Sequence, residues 1–312
     1  MFQKTTALLS SLVTFFLFLS PLTSKANTVW SAPLLQNHPL VGKIYNVKQE
    51  KFISQEILIT ALKKSPYVLI GEKHDNADHH RLELKLLESL VNKPHTQVVF
   101  EMLTDEQQSN ISLLKADDNL VQMHEKLAWN DKGWLWSDYA ALIQTSISHG
   151  AQIRAGNISR PIIKQIYQQN NIDALSNKVR FQTIKNISET AKEQILNQVF
   201  ESHCQLMPKT KLVPMMTIQL ARDASMANAI STSKKPSILI AGSFHTQKNV
   251  GVPLHLEKNG DQTSTTLLLA EVKQSGLKPG SYASPDEVDF IWFTPKQVEK
   301  DYCEGLRLNH KP

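Results

Sequence analysis

The stretch from position 67 to position 100 reads as strand, helix, strand, and that order constrains the fold more than any other feature of this 312-residue chain. Residues 67–70 (Tyr-Val-Leu-Ile) and 97–100 (Gln-Val-Val-Phe) are short apolar runs of strand length. Between them, residues 78–91 put Leu82, Leu86 and Leu90 on one face with Leu87 and Val91 beside it. That spacing is an amphipathic helix, and Asn76 or Asp78 stands where its N-cap belongs. Strand, helix, strand at this spacing argues a parallel sheet, so the chain is predicted to be α/β, with a mostly parallel sheet flanked by helices. Apolar runs at 151–154, 237–240, 266–272 and 289–293 extend the sheet. Residues 104–127 and 189–230 read as helical with polar faces, which predicts a helical cap or insertion over one end of the sheet. Repeats and Pro/Gly/Ser-rich linkers are absent from the sequence, so residues 27–312 form a single domain, and 41% hydrophobic residues suffice for its core.

The first 26 residues read as a secretory signal peptide. Lys4 precedes the apolar stretch 7–19, Pro21 breaks it, and Ser24-Lys25-Ala26 offers small residues for cleavage before Asn27. That stretch is short for a membrane span, and an uncleaved anchor is the alternative. No later segment is long and apolar enough to span, so the mature chain carries no expected transmembrane segment. Cleavage removes Lys4 and Lys25 and lowers the formal charge from +5 to +3. This mild excess comes without a long basic run, which argues against nucleic acid as a partner. The two cysteines, Cys204 and Cys303, would sit in an oxidising compartment, where a bridge is expected; two separate buried thiols are the alternative. With no CxxC, neither a zinc knuckle nor a thioredoxin-type site is indicated.

In open parallel sheets, ligands bind beyond the carboxyl ends of the strands. Here those ends deliver Glu72 and His74 in "GEKHDNADHH", Glu101 in "VFEML", Asn157 in "RAGN" and His245 after "SILIAGSF". The helix that follows the first strand adds His79 and His80. Any one of these histidines is more readily a solvated or core residue. Their coincidence at several strand ends predicts a site.

The blocks "GEKH", "VFEML", "RAGNISRP", "QLARDASMANAI" and "AGSFHTQKNVGVPLHL", followed by the tail "DEVDFIWFTP", resemble in order the signature blocks of the ChaN-like haem-binding uptake family. Its superfamily also holds Tiki-type metalloproteases, TraB proteins and erythromycin esterases. The resemblance implies an α/β fold, haem held in a pocket between two subunits of a homodimer, and haem or iron acquisition in the periplasm or outside the cell, with an outer-membrane haem receptor as a further partner. Many relatives are described as lipoproteins, whereas this chain has no cysteine at the cleavage site. Haem needs an axial ligand, an apolar slot and cations for its propionates. The resemblance implies a tyrosinate ligand, and Tyr139 is the candidate because Trp129, Trp134 and Trp136 surround it in sequence. His79 and His80 are the alternative ligands, with Lys73, Arg154, Arg160 and Arg222 as propionate partners.

The same residues support a rival reading. Gly71-Glu72-Lys73-His74 and Gly242-Ser243-Phe244-His245 are both G-x-x-H, as in Tiki-type metalloproteases, with Glu101 between them. His74, Glu101 and His245 could hold a divalent metal with an open position, with Glu72 as general base. A metal-free esterase using His74 and Glu72 is a variant of this reading. No G-x-S-x-G motif is present, which argues against a serine hydrolase. A periplasmic interaction protein that keeps the fold without the chemistry is a third class.

Overall fold

All six predicted apolar runs form strands: β3 (Tyr67–Glu72), β4 (Gln97–Thr104), β5 (Gln152–Asn157), β6 (Ser237–Gly242), β7 (Ser264–Glu271) and β8 (Phe290–Thr294). Two three-residue strands that the sequence did not signal, β1 (Ile44–Asn46) and β2 (Lys51–Ile53), precede them. The structure is a computed structural model and describes residues 1, 29–91, 96–169, 179–232, 236–258, 264–301, 303, 304 and 307. All but the first residue of the expected signal peptide lies outside the described residues.

The eight strands make one sheet in the order β2-β1-β8-β7-β3-β6-β4-β5. From β8 to β5 every pairing is parallel, and the β1–β2 hairpin adds antiparallel to β8 and covers that edge. In β3, Val68 and Ile70 face one side and Leu69 the other, and all three are buried. A strand covered on both faces reads as a continuous apolar run, which is why "YVLI" does not alternate.

On the Val68 and Ile70 face lie α1 (Gln55–Leu62), α2 (Ala77–Leu90) and α5 (Trp136–Ser148). Leu82, Leu86, Leu87 and Leu90 of α2 and Leu142 and Ile143 of α5 share one core with the sheet. The N-cap of α2 is Asn76, whose Oδ1 accepts from the Asp78 amide at 2.9 Å. Asp78 in turn accepts from the Ser31 and Ala32 amides and ties the preceding chain to the helix. On the Leu69 face lie α8 (Lys209–Ser231) and α10 (Val252–Lys258), which pack Met226, Ala227, Ile230, Val252 and Leu256 against Val99, Leu239 and Ala241.

The expected helical insertion is a separate apolar cluster. It joins α6 (Arg160–Gln169), α7 (Glu189–Ser202) and the first half of α8 around Phe181, Ile184, Ile195 and Leu212. Residues 189–230 are not one helix. The chain leaves α7 at Cys204 and Gln205, both in the left-handed region (φ +59° and +57°), and re-enters helix after Pro208. Residues 104–127 are also less helical than expected, holding a 3-10 turn (Asp105–Gln107) and two short helices, α3 (Gln108–Ile111) and α4 (Leu120–Leu127). Asp118 accepts from the Lys115 amide, and Asn119 forms a capping box with Gln122, so these polar side chains restart the helix rather than continue it.

Cys204, at that turn, is bonded to Cys303 near the carboxyl terminus, across 99 positions. Closing so long a loop restricts the unfolded chain most, at about 2–5 kcal/mol. We expect Cys204→Ser to lower the unfolding free energy in urea by that amount, and the denatured, unreduced wild type to show no free thiol from this pair. A urea midpoint unmoved by the substitution would contradict this.

Candidate functional site

Strand register puts the two G-x-x-H segments side by side. Glu72 of β3 pairs with Gly242 of β6, where both strands end, and Phe100 of β4 pairs with Ile240, so Glu101 follows beside that end while β4 runs on to Thr104. In β4 the five residues from Phe100 to Thr104 lie opposite three on β5, Ala155 to Asn157, and this irregularity contains Glu101. Glu101 Oε2 accepts from the Gly242 amide at 2.8 Å. Both glycines stand where a side chain would collide. A Cβ on Gly71 would lie 2.2 Å from Thr246 Oγ1, and one on Gly242 2.6 Å from His74 Nε2. The G in each G-x-x-H is therefore a demand for close approach.

Glu72 organises one half of the site. Its Oε1 accepts from the Tyr139 hydroxyl of α5 at 2.8 Å and lies 2.9 Å from His74 Nδ1. Its Oε2 lies 2.7 Å from His80 Nε2 on α2. Burial opposes its ionisation, but the two imidazoles outweigh that and bring its pKa down to about 2. With Nδ1 of His74 facing this carboxylate, Nε2 is turned towards Glu101; burial opposes a charged imidazole, but Glu101 and Glu72 outweigh it and raise the His74 pKa. The His74 side chain is 35% exposed and meets the Trp134 ring edge-on at 4.7 Å. Burial, then the charge of Glu72, holds the Tyr139 phenol far above its ordinary range.

His245, on the short helix α9 (Ser243–Thr246), organises the other half. Its Nδ1 lies 2.5 Å from Asp223 Oδ1 of α8 and its Nε2 3.4 Å from Glu101 Oε1. Burial disfavours a charged imidazole, yet the two carboxylates prevail and push its pKa up to about 10. Glu101, buried too, is held well below the carboxylate range by His245 and His74. His74 Nε2 lies 3.8 Å from Glu101 Oε2, so acids and imidazoles alternate from Asp223 to Tyr139.

A cleft of about 470 Å³ opens above this edge. It is lined by Glu72, Lys73, His74, Glu101, Gly242 and His245, by the aromatic rings of Trp134 and Phe244, and by Arg222. Phe244 is 54% exposed at the rim. Arg222 donates from Nη1 to Gln219 Oε1 at 3.3 Å, while its buried Nε has no partner. Lys73 is paired with Glu271 at 3.1 Å. Glu72, His74, Glu101 and His245, up to 173 positions apart in sequence, thus meet at one edge as expected.

Other expected residues sit elsewhere. Tyr139 is only 1% exposed beneath Glu72 and does not line the cleft, so its oxygen is engaged as a donor rather than presented to iron. His79 accepts from the Lys73 amide at Nδ1, and its Nε2 lies 2.9 Å from Thr294 Oγ1, leaving no nitrogen for a ligand; burial lowers its pKa to about 3. His80 faces Glu72 behind the cleft. Arg160 is exposed at the start of α6, and Arg154 lines a different groove with Gln108 and Ile111. Asn157 donates to the Glu101 carbonyl at 3.0 Å and shapes the turn there. His245 sits between two carboxylates, and His74, Glu101 and His245 do not bring ligand atoms within 4.8 Å of one another among the described residues, so the expected three-ligand metal centre is instead an ion-pair network. Sequence reading missed Asp223 and Glu83. An acid inside the small apolar run "LARDASMANA" was the available signal for the first.

The family description "Haem-binding uptake, Tiki superfamily, ChaN" matches residues 58–256. The chain belongs to this family. Among solved structures, "Cofacial heme binding to ChaN of Campylobacter jejuni" aligns with TM-score 0.69 at 24% identity, over 83% of this chain and 98% of that one. An erythromycin esterase in its open conformation aligns with TM-score 0.43 at 14% identity, over 86% and 87% of the two chains. No curated protein matches the sequence.

His245 gives a pH test. Its folded pKa lies above the unfolded value of roughly 6.5, so its contribution is full below that pH and is lost as pH rises towards about 10. We expect the stability difference between wild type and His245→Gln to be largest near pH 6 and to shrink steadily towards pH 10. A difference independent of pH would contradict the paired imidazolium.

Proposed function

We propose that this chain is an exported haem-binding uptake protein that holds haem in the cleft at the carboxyl edge of the sheet. The observation that carries this reading is His74. Glu72 fixes its Nδ1, and its Nε2 is turned to the edge that the cleft covers. A carboxylate that sets tautomer and ring orientation in this way would let His74 hold a haem iron. Trp134 and Phe244 offer flat apolar surface beside it. The unpartnered Nε of Arg222 suits a propionate, because a guanidinium binds carboxylates in planar fashion. The volume lies within the roughly 300–1,000 Å³ range of small-ligand sites. Bound there, haem supplies a Lewis-acidic iron and two carboxylates; the chain contributes the ligand, the slot and the counter-charge. Family membership supports the same ligand.

A haem held by these residues would have room for a second copy of this chain to cover it, because the cleft opens to the surface. The C. jejuni relative, described as binding haem cofacially, fits such a homodimer. The signal-like residues 1–26 and the bridged cysteines support export, with haem received from an outer-membrane receptor. Among the described residues, no helix is long and apolar enough to cross a membrane.

Hydrolysis is the weaker reading. A general base works best with a pKa near the operating pH, whereas Glu72 sits near 2 with both oxygens against other groups.

Haemin titration followed at the Soret band tests the proposal. Wild type should shift the band, and His74→Ala and Arg222→Gln should each weaken binding about tenfold or more, some 1.4 kcal/mol. Gly242→Ala should do the same by displacing His74, while Tyr139→Phe should leave the band position unchanged. Unaltered binding by His74→Ala, or a spectrum lost in Tyr139→Phe, would move the ligand elsewhere. For export, N-terminal sequencing should find Asn27 first, and an intact Met1 would refute it.

A further inference from the structure

Behind the cleft, on the far side of Glu72, α2 presents His80 and Glu83 three positions apart and so on one helix face. The three side chains are almost wholly withdrawn from solvent, with residue exposures of 1% for Glu72, 8% for His80 and 0% for Glu83. One ligand atom from each lies within 4.8 Å of the other two, the only such trio among the described residues. Both carboxylate oxygens of Glu83 are buried without a hydrogen-bond partner. Glu72 Oε2 and His80 Nε2 are 2.7 Å apart, an ion pair that lacks the alignment of a hydrogen bond, so neither atom has a hydrogen-bond partner. Buried polar atoms are rarely left this way, and an isolated acid carries a penalty of several kcal/mol, so a group of them facing one point indicates an ion or a proton that satisfies them.

We propose that Glu72, His80 and Glu83 hold a divalent cation of the manganese, ferrous or zinc class. Two carboxylates and one imidazole are the donor set that these borderline ions accept, harder than a cysteine site and with more nitrogen than a calcium or magnesium site. The cation lies outside the cleft and shares only Glu72 with it. It also has a structural consequence. Glu72 uses Oε1 for Tyr139 and His74, so a cation on Oε2 immobilises the carboxylate that orients the His74 ring. The competing occupant is a proton, which would leave Glu83 a neutral acid; burial, then the charge of Glu72, favours that form when no cation is present.

The inference does not rest on the haem reading, and its test uses no haem. The full chain, stripped with a chelator, is assayed for thermal unfolding and for bound metal with Zn²⁺ or Mn²⁺ added. One tightly held ion per chain is expected, with a rise in Tm of roughly 5 °C or more at saturation. Glu83→Gln, which keeps shape but removes the charge, should fold with an unchanged chelator-treated Tm and lose the metal-dependent rise, its affinity falling at least tenfold. His80→Asn should lose it too. No bound ion in wild type, or equal uptake by Glu83→Gln, would overturn the proposal and leave Glu83 a protonated acid.

Discussion

The ionised carboxylate of Glu72, buried at the carboxyl end of β3, is the constraint on which the site depends. A buried carboxylate persists only when its oxygens are matched by donors or cations. Here the matching groups come from three places: His74 from the loop after β3, His80 from α2 and Tyr139 from α5. The sheet, its first crossover helix and the aromatic helix are thereby tied at one point. Tyr139 acts as a donor within this arrangement, and its rings of contact with His80, Trp129 and Trp134 fill the space beneath the cleft.

A second matched group, His245, repeats the logic with opposite sign. An imidazolium between Asp223 and Glu101 keeps two buried acids ionised or satisfied, and Glu101 links the halves by facing both histidines. Such alternation places no strong base at the edge. It holds one imidazole, His74, with a nitrogen turned to the cleft, beside an arginine whose Nε is unpaired. An imidazole nitrogen at the cleft with a separate cation nearby suits a ligand that is metallic at its centre and anionic at its margin, although, against burial, Glu101 and Glu72 hold the His74 pKa above its ordinary value.

Much of this was legible from residues alone. The central strands at 67, 97 and 237 were visible because each is buried on both faces and reads as a largely apolar run, whereas edge strand β5 exposes Gln152 and showed itself only by its place in the strand–helix alternation. The convergence of Glu72, His74, Glu101 and His245 followed from where those runs end. The β1–β2 hairpin was not visible, since three-residue strands are too short to show a period. Which histidine faces the cleft was also hidden. His74, His79 and His80 lie within seven positions, and only the Thr294, Lys73 and Glu72 partners supplied by the fold separate their roles. An aromatic run marks buried surface as readily as a ligand slot, and Tyr139 is buried with its hydroxyl on Glu72. The helix break at Cys204 needed left-handed residues other than glycine, which no local pattern announces.

In the proposed haem site, Glu72 presents His74 Nε2 as the iron ligand. Resonance Raman spectroscopy of the ferrous haem complex tests it most directly. The account expects an iron–imidazole stretch in wild type that is absent from His74→Ala and shifted in Glu72→Gln, where the ring loses its anionic partner. A wild-type complex without that stretch, showing tyrosinate modes in its ferric form instead, would contradict it.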